Sequence, residues 1–315
     1  MANSIQSVEN QLSALLPSSS GSVQSAIKAQ LSVLRFCKNA NMVDTTFDSI
    51  LQHLKESIEL CSSEREKIEF RKQYACMMQS FIFLLSAQVQ YRKDKNNVEK
   101  WELLKNAGEA LNTSVQSIGA LSGATIPSIN LCGQQESESL FAQAVNYLSN
   151  NQKAKQEEEA FCKSLHSVFE KMVKYQEYVG EDLRLANLAK KYAPDIAYGE
   201  TRVERERLQI KKWTNKIPYI VLVVFIFIYL FALNINADSA SHVEVEGWFN
   251  DYNDEAVRSA YMNEGYKWLA IIIAVFAGWR IFETIRYRKA LAALNAKQEK
   301  IKEELLGYAK QLDII

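Results

Sequence analysis

The stretch IPYIVLVVFIFIYLFAL, residues 217–233, decides the fold class because it contains no charged side chain. Extending it to Ile235 gives nineteen residues, which as an α-helix reach about 28 Å and match the roughly 30 Å hydrocarbon layer of a bilayer. Pro218 falls in the first turn of such a helix, where its missing N–H costs little. The stretch therefore predicts a transmembrane span; the alternative is a helix buried in the core of a soluble protein.

A second apolar stretch, WLAIIIAVFAGW at residues 268–279, is shorter. Its twelve residues give about 18 Å of helix. Lys267 and Arg280 border it, and their long side chains extend the usable length by reaching the headgroups. We predict a second span over residues 267–283, with a re-entrant or interfacial segment as the alternative. Aromatic and basic residues beside the two stretches are typical of membrane-interface anchors, which we assign to Trp213, Trp268, Trp279 and Arg280.

The flanking charges predict how the two spans are oriented. Residues 200–216 carry six basic side chains and residues 280–302 carry seven, whereas the loop 236–266 carries one, Arg258, against seven acids. Cytoplasmic flanks of membrane spans are enriched in Lys and Arg. We therefore expect an integral protein of a plasma or inner membrane with both termini in the cytoplasm. The polar start of the chain, which has neither a basic stretch nor an apolar core, predicts no signal peptide or transit peptide.

Residues 1–199 have the apolar spacing of an almost wholly helical domain. Apolar side chains recur at intervals of three and four in the segments 22–39, 42–62, 64–92, 97–118 and 137–193. Residues 73–91 are uncharged, but their glutamines and serines suit the central helix of a soluble bundle better than a lipid-facing span. Clusters of Pro, Gly and Ser predict breaks at residues 17–21, 119–133 and 194–199.

The break GALSGATIPSINLCG, residues 119–133, is apolar for a loop. Its Gly119-x-x-x-Gly123 spacing marks a close contact between helices, or the segment is a turn packed between two helices. We favour the packed turn. A nucleotide site is excluded because no Gly-Lys-Ser/Thr follows and no strand precedes.

Two segments follow a stricter heptad spacing. One runs from Phe161 to Val179 and the other from Tyr287 to Leu312, each stepping alternately by four and three residues. A sustained period of 3.5 residues is typical of coiled-coil seams, in which one polar position often fixes register or strand number. The two seams pair with each other within one chain, or each pairs with copies in other subunits. We assign the second as a candidate oligomerisation seam, comprising Leu291, Leu294, Gln298, Ile301, Leu305 and Leu312.

The loop between the spans is acidic and aromatic. Residues 247–266 have the composition of a helix in which Asp251, Asp254 and Glu255 lie near each other at spacings of three and four. Such a helix rests on the lipid headgroups, or it forms a pore mouth where a symmetric oligomer repeats the acids as a ring that concentrates cations. We retain these three acids as candidate pore-mouth residues.

Composition and motifs exclude several classes of protein. Basic and acidic residues number 37 each, so the formal net charge is zero and we predict no nucleic-acid partner. The five cysteines form no C-x-x-C pair and no zinc-site spacing with histidine, which predicts no metal site and a reducing compartment. Neither H-E-x-x-H, G-x-S-x-G nor a Walker sequence is present. We predict a non-enzyme with no catalytic residue and no cofactor.

These features together predict an all-α protein, a cytoplasmic helical bundle with long coiled-coil-like helices flanking a two-helix transmembrane hairpin. No Gly or Pro separates Trp279 from Leu306, so we expect the tail to continue the second span as one helix. The predicted domains are a cytoplasmic helical domain, a pre-membrane helix with the first span, an acidic extracytoplasmic loop, the second span and a cytoplasmic coiled-coil tail. Their residues are, in this order, 1–199, 200–235, 236–266, 267–283 and 284–315.

The expected function is that of an oligomeric integral membrane protein, a pore-forming effector or ion channel gated by its cytoplasmic helical domain. The alternative is a membrane-anchored scaffold or tether that recruits cytoplasmic partners through its coiled-coil helices. The expected partners are membrane lipid and further copies of the chain. A cytoplasmic protein is a further candidate partner, and the scaffold requires one.

Overall fold

The computed structural model describes residues 4–19, 21–147, 151–176, 183–214, 216–241 and 250–313, and all regular structure in them is helical. About 90% of the chain is helix, which confirms the all-α prediction. A 3₁₀ turn, Leu16–Ser18, follows the first helix. The α-helices are α1 Ser4–Leu15, α2 Gly21–Lys38, α3 Val43–Leu60, α4 Glu64–Lys93, α5 Glu99–Leu121, α6 Gln134–Tyr147, α7 Gln152–Lys174, α8 Leu183–Thr214, α9 Ile217–Ser241 and α10 Asn250–Asp313.

Helix α4 contributes the centre of the bundle core. It packs along α5 and also contacts α2, α3 and α6. The ring of the fully buried Phe81 meets Phe36 of α2 edge-on, with 5.0 Å between centroids. Buried Gln88 donates from Nε2 to the carbonyl of Leu140 at 2.6 Å, so its amide nitrogen is paired in the core. The prediction that residues 73–91 form a bundle helix is confirmed.

Side-chain caps explain where two of these helices begin. The Ser63 hydroxyl accepts the backbone N–H of Glu66 at 3.2 Å, while the Glu66 carboxylate accepts the N–H of Ser62 at 2.9 Å. The Asn151 side chain accepts the N–H of Ala154 at 2.7 Å and caps α7. Each cap satisfies an N–H that has no partner within its own helix.

The segment between α5 and α6 is a packed turn, as predicted. Ile126, Ile129 and Leu131 are buried, and the amide of Asn112 bonds to the backbone of Ile129 in both directions, at 2.7 and 2.9 Å. A Cβ at Gly119 would lie 2.6 Å from the carbonyl oxygen of Ala124, so this close approach requires glycine.

Two predicted boundaries are wrong. Residues 194–199 are not a break, because α8 continues through Pro194. Proline lacks an N–H for the helix ladder, but Pro194 is exposed and its neighbours Ala193 and Ala197 are fully buried, so packing holds the helix together. The segment 137–193 is not one helix either, since α6 ends at Tyr147 and α7 runs from Gln152 to Lys174.

Helix α1 is a helix that the sequence analysis missed. Its apolar positions Ile5, Val8 and Leu12 are all fully buried. Their spacing of three and four residues is that of a helix face. The rest of the segment is mostly polar, so the apolar pattern is short. Ser4 is bonded through both its N–H and its hydroxyl to Glu136 of α6, at 3.0 and 2.5 Å. Contacts far along the chain therefore hold this helix in place.

The chain divides into two compact units, residues 1–203 with 297–315 and residues 204–296. The first unit contains the bundle, and the end of α10 packs in its core. The second contains the end of α8, all of α9 and most of α10. Helix α10 extends over 64 residues without interruption, so the prediction that the tail continues the second apolar stretch as one helix is confirmed.

Candidate functional site

In the second unit, α9 and the middle of α10 lie side by side and run antiparallel. Three contacts at successive levels fix this arrangement: Arg258 with Asp238 at 3.0 Å, the Tyr229 hydroxyl donating to the Gly265 carbonyl at 3.2 Å, and the Tyr219 ring 5.6 Å from the Phe276 ring. A Cβ at Gly265 would lie 2.3 Å from Leu233 Cδ1. The absence of a side chain at Gly265 therefore leaves room for the Leu233 side chain of α9.

The outward faces of this pair are apolar and uncovered. Both helices are long and apolar enough to cross a membrane, by length and composition. The most exposed large side chains include Phe227 and Phe231 on α9, each 71% exposed, and Val275 on α10, 68% exposed. Contiguous apolar surface of this extent is unusual on a soluble monomer, whereas lipid tails cover it without cost.

Helix α10 carries a ridge of small residues, which we call the small-residue ridge: Ala270, Ala274 and Gly278. All three are exposed, and a Cβ added at Gly278 would meet nothing within 4 Å. At about 100° per residue, the ridge lies on the face of α10 opposite Gly265 and Phe276, which contact α9. Small residues spaced four positions apart form the pattern along which membrane helices approach each other closely.

The predicted interface anchors lie at the ends of the apolar stretches. Trp268 and Trp279 are exposed, while the side chain of Trp213 lies outside the described residues. The guanidinium of Arg280 lies 4.4 Å from the centroid of the Tyr219 ring and bonds to Glu283 at 2.8 Å. A cation held over an aromatic face is stabilised by the ring quadrupole. The anchoring role of these residues stays a prediction.

The candidate pore-mouth acids all belong to the first turns of α10, which begins at Asn250. Glu255 is exposed. The side chains of Asp251 and Asp254 lie outside the described residues, as do residues 242–249 of the loop. The backbone therefore places the three acids on one helix, and their pore-mouth role stays a prediction.

The candidate oligomerisation seam lies mostly against its own chain. Ile301, Leu305 and Leu312 belong to the core of the bundle, Leu294 is buried in the second unit, and Leu291 and Gln298 are half-buried. The other heptad segment contributes Phe161, Leu165, Val168 and Met172 to the same core. This packing corresponds to the alternative in which the two seams pair within one chain, and pairing between subunits stays a prediction.

A cluster of charged groups surrounds His166 where α7, α8 and α10 meet within the first unit. Nδ1 of His166 lies 3.0 Å from a carboxylate oxygen of Glu200, and Nε2 lies 3.7 Å from one of Glu304. Only the imidazolium carries an N–H on both nitrogens and so suits two carboxylates at once. The bond to Glu200 raises the pKa of His166 against the opposing effect of burial, with further help from the charges of Glu200, Glu304 and Glu170.

The sequence analysis did not single out this cluster. None of the catalytic or metal-binding motifs considered in the sequence includes His166. The partners come from residues 34 and 138 positions farther along the chain, as the numbering of Glu200 and Glu304 shows. The spacing of residues on one helix carries no signal for such contacts.

A cleft of about 170 Å³ lies beside this cluster between α4, α7 and α8. Three of its charged side chains pair across the helices: Lys93 bonds to Asp195 at 2.9 Å, and Glu158 is paired with Arg202. Burial raises the pKa of the Cys162 thiol to about 12, so the thiol stays protonated and unreactive. The charged pairs at the cleft therefore link three helices, and Cys162 is not an activated nucleophile.

No protein-family model, curated protein or solved structure matches the chain. Within the described residues, no three His, Cys, Asp or Glu side chains are arranged to hold a metal ion. The absence of a cofactor and of catalysis stays a prediction.

Proposed function

We propose that α9 and α10 are transmembrane spans forming a hairpin, and that copies of the chain assemble through the small-residue ridge. The assembly acts as a pore-forming effector or ion channel that the cytoplasmic helical domain gates. The observation that supports this proposal is the exposed ridge Ala270-Ala274-Gly278 on the face of α10 turned away from α9. A helix face of this kind suits a second helix better than lipid, because small residues let backbones come close.

Assembly is needed because the described residues of one chain supply two candidate spans. Two helices in contact leave no space between them for a conduit, whereas several copies of α10 around an axis enclose one. Each copy keeps α9 on one face of α10 and offers the ridge on the other. A closed ring of more than two copies joins two different patches of each chain, so the ridge of one copy would pack against another exposed face of the next copy.

The continuity of α10 supports gating by the cytoplasmic domain. The helix contains the ridge and extends to Asp313, and its later residues Ile301, Leu305 and Leu312 belong to the core of the bundle. A helix without a break transmits rotation or translation along its axis. A ligand or partner that repacks the bundle would therefore change the position of the ridge.

The conduit would be gated by dewetting. Residues 217–233 and 268–279 contain no acidic, basic or histidine side chain, so a proton relay or ion-coupled transport lacks its usual groups. Hydrophobic constrictions close by expelling water. Asp251, Asp254 and Glu255 then belong to the outer mouth, ahead of the constriction.

The assembly is tested with full-length protein in mild detergent by native mass spectrometry and in liposomes by ion flux. We expect one closed species of four or more subunits that conducts. Ala274→Leu places a larger side chain on the ridge. It should weaken each contact between copies by about 1–3 kcal/mol, which raises the dissociation constant roughly five- to a hundredfold. The matched control is Ala232→Leu on the exposed surface of α9, which should leave both mass and flux unchanged.

Monomeric or dimeric wild-type protein without flux would remove the channel. In that case a membrane-anchored scaffold is the second candidate. Such a scaffold would recruit its partner through surfaces other than Ile301, Leu305 and Leu312, because these residues lie in the chain's own bundle. A scaffold keeps its function when both spans are replaced by unrelated spans of equal length, whereas a channel loses it.

A further inference from the structure

Two basic segments that are far apart in the sequence meet at one level of the second unit. Arg205 of α8 bonds to Asn295 of α10 at 3.0 Å, and Nζ of Lys212 lies 5.8 Å from the centroid of the Tyr287 ring. The end of α8 therefore lies antiparallel along residues 287–295. This pairing brings together five exposed basic side chains that we call the basic collar: Lys211, Lys212, Arg286, Arg288 and Lys289.

The collar is dense and has no acid within its own segments. At 1.5 Å per residue, Arg286 to Lys289 span about 4.5 Å of α10, and Lys211 and Lys212 lie at the same level of α8. Residues 207–216 and 284–297 contain no Asp or Glu. A cytoplasmic excess of Lys and Arg is enough to orient a span, but orientation alone does not require two helices to place their cations side by side.

The position of the collar indicates what its charges meet. Phe282 and Ile285, which are 64% and 48% exposed, directly precede it on α10, and the apolar residues of α9 begin at Ile217. Arg286 lies about 6 Å along the helix from Phe282. The headgroup layer of a bilayer has a similar thickness, since about 40–45 Å of membrane encloses about 30 Å of hydrocarbon.

We propose that the basic collar binds the phosphate-bearing headgroups of anionic lipids on the cytoplasmic side. The inference rests on the proposed membrane placement of α9 and α10 and adds a lipid preference to it. The exposed Arg286, Arg288 and Lys289 surround the outward side of α10, and Arg matches phosphate oxygens with two parallel N–H donors. Each basic residue at such a surface strengthens binding to anionic lipid roughly fivefold.

The test uses full-length protein in neutral detergent, titrated with phosphatidylglycerol or with phosphatidylcholine of the same chain length and followed by native mass spectrometry. We expect phosphatidylglycerol to bind at least tenfold more tightly, with the preference falling as salt rises. The triple variant Arg286→Gln, Arg288→Gln, Lys289→Gln should lose roughly a hundredfold of that binding. Equal binding of the two lipids, or full retention of phosphatidylglycerol by the triple variant, would overturn the proposal.

The matched control removes three exposed charges elsewhere, with Lys28→Gln, Arg71→Gln and Lys105→Gln, and should bind like the wild type. Inorganic phosphate at matched ionic strength should not displace phosphatidylglycerol; complete displacement would overturn the assignment to lipid. The same spectra give the subunit number. A monomer that selects phosphatidylglycerol would refute the channel and keep the collar, whereas an oligomer without lipid preference would refute the collar alone.

Discussion

The surroundings of His166 favour its protonated form. Its ring lies between Glu200 and Glu304 and 5.9 Å from the ring of Tyr308, with Glu170 one turn along its own helix. Nζ of Lys300 lies 3.6 Å from a carboxylate oxygen of Glu304 and pairs with it. Protonated His166 adds a charged contact from α7 to Glu200 of α8 and Glu304 of α10. We therefore expect the packing of the α10 tail to depend on pH.

The sign of this dependence follows from the raised pKa of His166. A group that holds its proton more tightly when folded contributes its full stability below its unfolded pKa, about 6.5, and loses it as pH rises through the folded pKa. His166→Gln should therefore lower the thermal stability of the full-length protein at pH 6, on the order of 1 kcal/mol, and matter less at pH 9. Thermal unfolding followed by circular dichroism at the two pH values measures this difference.

The control for this prediction is His53→Gln. His53 bonds to Glu56 at 2.7 Å within its own helix α3, far from the α10 tail in the chain, so this bond itself joins no separate elements. Its removal should not change the packing of the α10 tail. An equal loss of stability at pH 6 and pH 9 in His166→Gln would show that the ring acts by packing alone.

Gly199 is a second residue whose role depends on contact geometry. A Cβ at this position of α8 would lie 2.3 Å from Sγ and 3.3 Å from Cβ of Cys162 on α7. Gly199→Ala should destabilise the protein by about 1–3 kcal/mol, measured as a lower melting temperature. Adding Cys162→Ala should restore much of the loss because it removes the clashing sulfur. Gly307→Ala, where a Cβ meets nothing within 4 Å, should be neutral or slightly stabilising; a loss equal to that of Gly199→Ala would contradict the steric account.

At the scale of elements, the sequence was informative wherever a signal is local. Apolar periodicity predicted α2 to α5, and the polar content of residues 73–91 identified a core helix. Pro194 misled the prediction because proline's missing N–H is a local cost, whereas the burial of Ala193 and Ala197 is a tertiary gain. Periodicity also predicted the apolar face of the tail, but which element covers a face depends on contacts that spacing does not contain.

Leu305 separates packing within the chain from pairing between subunits. It is fully buried in the bundle core, so Leu305→Ala should cost about 2–5 kcal/mol of stability. Because the contact is intramolecular, the difference in melting temperature between the variant and the wild type should not depend on protein concentration. Leu291→Ala, at a half-buried position of the same heptad series, should cost less. A concentration-dependent melting temperature with a changed oligomer mass would instead assign Leu305 to an interface between subunits.

At the scale of the whole molecule, α10 connects three features of the proposed channel. It begins with the acids at the outer mouth, continues through the small-residue ridge and ends in the core of the bundle. Lys267, which is exposed, lies one turn before Ala270 on the side of the ridge. An assembly around the ridge would therefore repeat both acidic and basic positions near its outer end, and their balance would set ion selectivity.

The charges at the outer mouth are tested by the triple variant Asp251→Asn, Asp254→Asn, Glu255→Gln. A ring of acids concentrates cations at a pore mouth, so its removal should lower cation flux severalfold and shift the permeability ratio toward anions, because Lys267 remains. Potassium and chloride flux from liposomes under a salt gradient gives both quantities.

The matched control neutralises three exposed acids of the bundle, with Glu59→Gln, Glu69→Gln and Glu102→Gln. It changes the net charge by the same amount and should leave the permeability ratio unchanged. Salt tests whether the effect is electrostatic. The difference in flux between wild type and the mouth variant should shrink as salt approaches about 1 M, where the Debye length is about 3 Å. Unchanged potassium flux in the mouth variant at low salt would remove the acid ring and leave Lys267 and the apolar constriction to set what passes.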